Sequence, residues 1–118
     1  MPIIYHVTTA AEWNAAKAIG AYESPSLKAE GFIHCSRASQ VMRIANEFYR
    51  ELPSIVLLVI NAEKVKSSLK WEPGTDKPDE LFPHVFGVIN LNAVDSVVQL
   101  QRNGNGEYYL PAEIGELE

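Results

Sequence analysis

The chain has 118 residues, 47% of them hydrophobic, and a formal net charge of -5 at pH 7. This length and composition predict one folded domain over residues 1–118 and exclude a disordered chain, and no apolar run approaches the roughly 18 residues of a membrane span. One cysteine excludes an internal disulfide, the N-terminus lacks a signal-peptide pattern, and the acidic balance argues against nucleic acid, so we expect a cytoplasmic protein with a small-molecule ligand.

A strand followed by a helix is predicted at the start of the chain. Residues 3–8 are rich in β-branched and aromatic side chains, and the alternation of an extended segment places His6 and Thr8 on one face. Thr9, with a glutamate three residues later, forms a capping-box pattern that begins a helix over about 10–19. The glycine that follows is typical of a helix C-terminus.

The next segments are predicted to be a loop and a second strand. Residues 21–30, which include Tyr22, a proline and two serines, predict a loop or a frayed strand followed by a turn. Residues 31–36 predict a strand in which His34 and Ser36 share one face. The two strands therefore carry the same pattern, an imidazole and a hydroxyl side by side.

The middle of the chain predicts a helix and a buried strand. Ser36 or Ser39 is a candidate N-cap for a helix that ends at about Leu52, before a proline. The uninterrupted apolar run at 55–60 predicts a central strand covered on both faces.

The second half is predicted to consist mostly of strands. Glu72 ends a brief strand over 69–72, and the aromatic segment 81–87, which carries His84, is predicted to be an unusual loop. Later strands are expected at 88–91 and 94–101, with a hairpin edge at 108–111 after the turn at 103–106. Two main helices in the N-terminal half, followed by strands, predict an α+β domain.

The polar side chains of these elements predict one small-molecule site. Its core is the two histidine–hydroxyl pairs, His6 with Thr8 and His34 with Ser36. Imidazole can donate or accept a hydrogen bond and titrates near neutral pH, so such pairs suit ribose hydroxyls, an amide or a phosphate. A carboxylate can orient a sugar hydroxyl or stabilise a developing oxocarbenium ion. The remaining candidate residues are Glu72, His84 and Tyr22.

Each candidate also has a purely structural interpretation. His6 and His34 can be half-buried histidines bonded to the backbone, and their hydroxyl partners can be helix caps. Glu72 can be a solvated charge at a strand end, and Tyr22 can simply pack. The histidines lack the close spacing of metal ligands, so no metal is expected. Cys35 is expected to be a small buried residue rather than a nucleophile.

A series of short motifs carries a family resemblance. These motifs are Ile4-Tyr5-His6-Val7-Thr8, Trp13, Gly20-x-Tyr22, Ser26-Leu27, Gly31-Phe32-Ile33-His34-Cys35-Ser36, Trp71-Glu72 and Phe82-Pro83-His84-Val85-Phe86-Gly87. They closely resemble the DUF952 family, small bacterial proteins of unknown function, over nearly the whole chain, so a single DUF952-like domain is expected. The last block of that family usually has a tyrosine where this chain has Phe86.

The DUF952 family is similar in fold to the ADP-ribosyltransferases, which implies an ADP-ribosyltransferase-like mixed, strand-rich split sheet and NAD as the cofactor. The first half also resembles the NAD-dependent RNA 2'-phosphotransferases, whose His-Gly-Thr and His-x-Ser strands match residues 6–8 and 34–36 in order and spacing. Val7 replaces the glycine of the first motif, and the arginines of the RNA enzymes have no equivalent, so transfer to RNA is not expected. By that resemblance His6 contacts the adenosine ribose or the nicotinamide amide of NAD, with Thr8 and Ser36 in support. His34 contacts nicotinamide or a phosphate, and the position of Glu72 is compatible with the acidic residue of many such transferases. In the same site we expect His6, Thr8, Tyr22 and Ser36 to bind the cofactor and His34, Glu72 and His84 to be catalytic.

Three hypotheses follow from the sequence. The first is an ADP-ribosyltransferase-like enzyme or NAD-binding protein that acts on a small substrate. The second is a non-catalytic protein that binds a small metabolite or nucleotide in the same site. The third is a structural or partner-binding domain whose histidines only satisfy the core, and it predicts no concave polar site. The sequence does not indicate an oligomeric state.

Overall fold

Antiparallel sheets with helices packed against them give the α+β fold that the sequence predicts. The structure is a computed structural model, and it describes residues 3–75 and 77–115. No helix within this part of the chain is long and apolar enough to cross a membrane. The elements in chain order are β1 (Ile3–Thr8), α1 (Ala10–Ile19), β2 (Ala21–Tyr22), α2 (Pro25–Glu30), β3 (Ile33–His34), α3 (Ala38–Phe48), β4 (Val56–Asn61), β5 (Ser68–Pro73), β6 (Leu81–Phe86), β7 (Ile89–Asn90), β8 (Val94–Gln99), β9 (Gln101–Arg102), β10 (Tyr108–Tyr109) and α4 (Ala112–Gly115), with short 3-10 helices at Ala62–Lys64 and Leu91–Ala93.

A three-stranded antiparallel sheet in the order β1-β4-β8 forms the centre of the fold. All residues of the middle strand are buried, which confirms the prediction of a strand covered on both faces. Its alternate residues enter two cores, with Leu58 and Ile60 in one and Leu57 and Val59 in the other. Complete burial of such a side chain contributes about 1.5–3 kcal/mol, so β4 anchors the fold.

A second three-stranded antiparallel sheet, in the order β3-β6-β5, carries the other set of candidate residues. Its register places His34 directly opposite His84, and it places Lys70 opposite His84 on the other side. Two-stranded sheets join β2 with β7 and β10 with β9. The pairing of β10 with β9 confirms the hairpin predicted after the asparagine–glycine turn.

A pair of backbone hydrogen bonds joins the two main sheets. The N–H of Tyr5 donates to the Ser36 carbonyl oxygen over 2.8 Å, and the N–H of Ser36 donates to the Tyr5 carbonyl oxygen over 2.7 Å. This bridge brings the strand of His6 beside the strand of His34, although 28 positions separate the two histidines in the sequence.

The first helix forms where its capping residues predict it. Thr9 Oγ1 accepts a hydrogen bond from the Glu12 N–H over 3.1 Å, and Gly20 closes the helix with a φ of 100°, in the left-handed region that favours glycine. Glu12 therefore lies in the first turn of α1, where the helix dipole stabilises a negative charge.

The helix α2 replaces the loop or turn that the sequence predicts after Tyr22. Pro25 occupies its first turn, where the missing N–H costs no hydrogen bond. The N–H of Gly31, which has a φ of 89°, donates to the Leu27 carbonyl oxygen and ends the helix. The helix is only six residues long, too short to produce a helical pattern in the sequence.

The start and end of α3 also differ from the prediction. Arg37 is the N-cap, so neither Ser36 nor Ser39 has that role. The N–H of Arg37 donates to Gln40 Oε1 over 3.0 Å, and this bond supplies the capping interaction expected from a serine. The helix ends at Phe48 rather than near Leu52.

The aromatic segment 81–87 contains the strand β6, so the prediction of a loop there is wrong. A proline inside a strand normally argues against a central position because it lacks an N–H. Here the Pro83 carbonyl oxygen still accepts a hydrogen bond from the Cys35 N–H over 3.0 Å. His84 is therefore held in the middle strand of a sheet instead of a surface loop.

Candidate functional site

A cleft of about 500 Å³ opens beside the bridge between the two main sheets. Glu72 does not line it and is hydrogen-bonded to His84 instead. Because both His6 and His34 line this concave site, the third hypothesis, which predicted no such site, is contradicted. The candidate residues that line the cleft are His6, Thr8, Tyr22, His34, Ser36 and His84.

Four lining side chains are linked by hydrogen bonds, and we call them the closed network: His6, Thr8, Glu12 and Tyr22. The Nδ1–H of His6 donates to the His34 carbonyl oxygen over 2.5 Å, and His6 Nε2 lies 2.7 Å from the Tyr22 hydroxyl oxygen. The Tyr22 hydroxyl oxygen also lies 3.0 Å from Thr8 Oγ1, and Thr8 Oγ1 lies 3.2 Å from Glu12 Oε1. Both ring nitrogens of His6 are thus occupied by the protein.

Burial keeps two members of the closed network, His6 and Tyr22, uncharged near neutral pH. It lowers the pKa of His6 from 6.5 to about 4, against the smaller opposing effect of the hydrogen bond to the His34 backbone. Burial also raises the pKa of Tyr22. At neutral pH the His6 ring is therefore uncharged with its proton on Nδ1, and Nε2 accepts from the tyrosine hydroxyl. The His6 imidazole therefore forms part of the cleft wall and does not exchange protons near pH 7.

Three other lining side chains keep polar atoms without a partner in the described residues, and we call them the open row: His34, Ser36 and His84. His34 Nε2 lies 2.9 Å from Glu30 Oε2, so its Nδ1 is left over. His84 Nδ1 donates to Glu72 Oε1 over 2.8 Å, so its Nε2 is left over. The Ser36 hydroxyl makes no hydrogen bond to this part of the chain. The open row therefore supplies the groups that a ligand can contact.

Aromatic contacts hold the two histidines of the open row. The His84 ring stacks on Phe32, with ring centroids 4.1 Å apart and an interplanar angle of 20°. The His34 ring meets the same phenyl ring edge to face, at a centroid distance of 4.7 Å. The centroids of the two imidazoles are 5.5 Å apart, so both can reach one small ligand.

The lining also includes apolar residues in and just after α3 and several carboxylates. Ile44, Phe48 and Tyr49 provide the apolar wall, and Phe48 is 55% exposed, which leaves its ring accessible. Carboxylates outnumber cations, so the field in the cleft favours a neutral or positively charged ring over a strongly anionic group. The charged lining residues are Glu12, Glu30, Glu47 and Lys77.

Sequence reasoning missed most of these charged and apolar residues. Glu12 was explained by the capping box alone, and Glu47 and Phe48 carry no signal beyond their place in a helix. Glu30 stands four positions before His34, but that spacing indicates contact only within one helix. Here Glu30 ends α2 and His34 lies on β3, and the sequence pattern does not predict a contact between these two elements.

Cys35 is buried, as predicted from its position opposite His34 on the strand. Burial raises the pKa of its thiol to about 12, so a thiolate nucleophile does not form near neutral pH. Among residues 3–75 and 77–115, no group of three or more histidine, cysteine, aspartate or glutamate side chains is placed to hold a metal ion.

Comparison with known proteins identifies relatives of the chain. Residues 7–97 match the model of a family described as "Protein of unknown function (DUF952)". The X-ray crystal structure of protein CC0527 from Caulobacter crescentus is similar at a TM-score of 0.85 and 32% sequence identity, covering 97% of this chain and 99% of that one. The solution NMR structure of CC0527 gives a TM-score of 0.77 and 34% identity over 91% of each chain. No curated protein matches the chain significantly.

Proposed function

This chain belongs to the DUF952 family, and we propose that it binds NAD in the cleft and, as an ADP-ribosyltransferase-like enzyme of the cytoplasm, transfers the ADP-ribosyl group to a small acceptor. The observation that carries the proposal is the convergence of the two His-x-hydroxyl strand ends on one cleft. In the resemblance to NAD-dependent transferases, both strand ends contact the cofactor.

The open row makes the direct contacts with the cofactor in this proposal. The Ser36 hydroxyl and His34 Nδ1 have no protein partner among the described residues, and both suit a ribose hydroxyl or the carboxamide of nicotinamide. His6, Thr8 and Tyr22 act indirectly, because their hydrogen bonds are already made within the closed network. Their role is to hold the wall on which the cofactor lies.

The charge of the cleft supports a nicotinamide ring in its oxidised form. That ring carries a positive charge, and the surrounding carboxylates of Glu12, Glu30 and Glu47 stabilise it. The phosphates of NAD then belong near Lys77, the cationic residue of the described lining. The apolar wall on α3 offers the accessible ring of Phe48 to an adenine or nicotinamide face.

Titration with NAD, with NADH as a matched ligand, tests the proposal. A ligand in 100-fold excess over its Kd stabilises the native state by about 2.7 kcal/mol, so we expect NAD to raise the melting temperature by several degrees. NADH has the same framework with an uncharged ring, and we expect calorimetry to find it at least about tenfold weaker, a loss of about 1.4 kcal/mol. Absence of any response to NAD, ADP-ribose or nicotinamide mononucleotide would contradict the proposal.

A second candidate function is a non-catalytic nucleotide-binding protein, and the complete internal bonding of His6 favours it. An assay for nicotinamide release from NAD, monitored by liquid chromatography over hours, distinguishes the enzyme from the binding protein. Saturable binding together with release supports the enzyme. Saturable binding with no release in the presence of water or small alcohol acceptors supports the binding protein.

A further inference from the structure

His84 lines the cleft and is hydrogen-bonded to Glu72, which lies outside the lining. The His84 side chain is 3% exposed, while the Glu72 side chain is 37% exposed. Nδ1 of the imidazole donates to Glu72 Oε1 over 2.8 Å, and this bond fixes which ring nitrogen carries the proton. The free lone pair is therefore on Nε2, the nitrogen without a partner in the described chain.

The surroundings of His84 hold its ring in one orientation. It lies on the middle strand of the β3-β6-β5 sheet and stacks on Phe32. Glu72 and Lys70 on β5 flank it on one side, and His34 on β3 lies on the other. A buried, stacked imidazole with one oriented nitrogen and one open nitrogen is the arrangement that proton transfer requires.

We infer that His84 is the general base of the cleft and that Glu72 is its positioning residue. This inference rests on the proposed function and deepens it by naming the group that activates the acceptor. It also changes the role of Glu72 relative to the sequence prediction, in which that carboxylate is itself catalytic. The carboxylate touches the imidazole rather than the cleft, so it acts through His84.

The proposed reaction transfers the ADP-ribosyl group to an acceptor that carries a hydroxyl group. The acceptor oxygen forms a bond to C1 of the nicotinamide ribose while the bond from that carbon to the nicotinamide nitrogen breaks. The electron pair of the broken bond returns to the ring, so the cationic ring leaves as neutral nicotinamide. The acceptor proton moves to His84 Nε2, and the Glu72 carboxylate stabilises the imidazolium that results. A water molecule as acceptor gives free ADP-ribose by the same step.

His34 provides the comparison within the same cleft. Its side chain is 39% exposed, and its partner Glu30 is 42% exposed, so water competes for their hydrogen bond. The His34 ring is therefore less firmly oriented than the His84 ring, and we assign it to ligand contact. Glu80→Gln is the matched control for Glu72→Gln, because the Glu80 side chain is 30% exposed and paired with Arg43, and neither residue lines the cleft.

Steady-state nicotinamide release, with the Kd for NAD measured separately, tests the inference. His84→Asn keeps an amide near the Nδ1 position for Glu72 and removes the open nitrogen, and we expect kcat to fall about 100-fold or more while Kd changes less than about threefold. Glu72→Gln should lower kcat about 10–100-fold with KM unchanged, by analogy with partners that orient a ligating histidine. Glu80→Gln should change kcat less than about threefold, because its partner Arg43 does not line the cleft.

The tautomer of His84 reports directly whether Glu72 orients the ring, and the loss of kcat at unchanged KM is the readout that a merely structural role would not give. Two-bond nitrogen–proton NMR correlations report which ring nitrogen is protonated. We expect the Nδ1–H form in the wild-type protein and a shift toward the Nε2–H form in Glu72→Gln, because the glutamine amide can donate to Nδ1. Circular dichroism melting curves confirm that each variant is folded.

The outcomes separate the inference from the proposed function. Normal NAD binding with wild-type release by His84→Asn would overturn the inference and leave the proposed function standing. Equal losses of release in Glu72→Gln and Glu80→Gln, or an unchanged His84 tautomer in Glu72→Gln, would overturn the positioning role. A wild-type protein that binds no NAD would overturn the proposed function and this inference together.

Discussion

The two His-x-hydroxyl strand ends share one local pattern but differ in chemistry. His6 is 6% exposed and both of its ring nitrogens are bonded within the protein. The His34 side chain is 39% exposed and bonds through one nitrogen. Thr8 is hydrogen-bonded on both sides, whereas the Ser36 hydroxyl has no partner in the described residues. The same alternation therefore produces a structural pair in one strand and a ligand-facing pair in the other.

The elements that follow each strand cause this difference. After β1 the chain forms α1 and returns directly into β2, which places the Tyr22 hydroxyl between His6 and Thr8. After β3 the chain enters α3, whose N-cap bond is made between Arg37 and Gln40. The hydroxyl two residues after His34 is consequently left for a ligand. Neighbouring residues and burial, not the His-x-hydroxyl motif itself, therefore decide whether these polar atoms are free to bond a ligand.

The largest effect on stability is expected for His6→Ala. The change opens a cavity and removes the partners of the His34 carbonyl oxygen and the Tyr22 hydroxyl, so we expect the free energy of unfolding to fall by about 4 kcal/mol. His34→Ala is the matched control and should cost less than about 1 kcal/mol. Urea unfolding measures both. Equal losses for the two variants would show that the two histidines have the same structural role.

The protonation of His6 should make stability depend on pH. Its pKa in the folded protein, about 4, lies below its ordinary value of 6.5. Between these values the unfolded chain binds more protons, so stability is fully present above about pH 6.5 and falls as the pH decreases toward 4. The difference corresponds to about 3 kcal/mol.

Urea unfolding of the wild-type protein and His6→Gln across this pH range tests that sign. The glutamine side chain does not titrate, so the difference between the two proteins isolates the contribution of His6. We expect the wild-type protein to lose about 3 kcal/mol more than the variant on acidification from pH 7 to pH 4. Parallel curves would mean that His6 is not buried in its neutral form.

A smaller loss is expected for Tyr22→Phe. The change keeps the packed ring and removes the hydroxyl shared by His6 Nε2 and Thr8 Oγ1, so a buried acceptor is left unsatisfied, at a cost of about 2 kcal/mol. NAD affinity should change less than about threefold, because the hydroxyl is not offered to the ligand. A large loss of NAD affinity with unchanged stability would show that Tyr22 contacts NAD directly, contrary to its place in the closed network.

Ser36→Ala should have the opposite profile. Its hydroxyl has no partner among the described residues, so stability should change by less than about 0.5 kcal/mol. Loss of one ligand hydrogen bond should weaken NAD binding by about 0.5–1.5 kcal/mol, or about 3–10-fold. Thermal unfolding and calorimetric titration measure the two effects. Destabilisation without weaker binding would contradict the division into a closed network and an open row.

Local signals in the sequence predict the elements whose stabilising contacts are local. The capping residue Thr9 and the closing Gly20 bound α1 correctly, and the apolar run at 55–60 identifies the central strand β4. The six-residue helix α2 is missed because it is shorter than two helical turns, so no periodicity develops. Segment 81–87 is wrongly predicted to be a loop because Pro83 usually excludes a central strand.

The two histidine–hydroxyl pairs of the candidate site are predictable from the sequence, but the rest of its lining and its hydrogen bonds are not. Alternation along two strands is sufficient to group His6 with Thr8 and His34 with Ser36. The bond between Glu72 and His84 depends on the register of β5 with β6, which no short-range pattern specifies. The hydrogen bond between His6 and Tyr22 likewise joins residues 16 positions apart, and β2, which carries Tyr22, pairs with β7 rather than with β1.

The chain has three histidines, so their imidazole NMR signals can be resolved during a single titration with NAD. This measurement tests most directly whether the open row, rather than the closed network, meets the ligand. We predict that the ring signals of His34 and His84 shift with saturable dependence on NAD concentration, while the ring signals of His6 shift least. A titration in which His6 responds most strongly and the other two histidines stay unchanged would contradict the account.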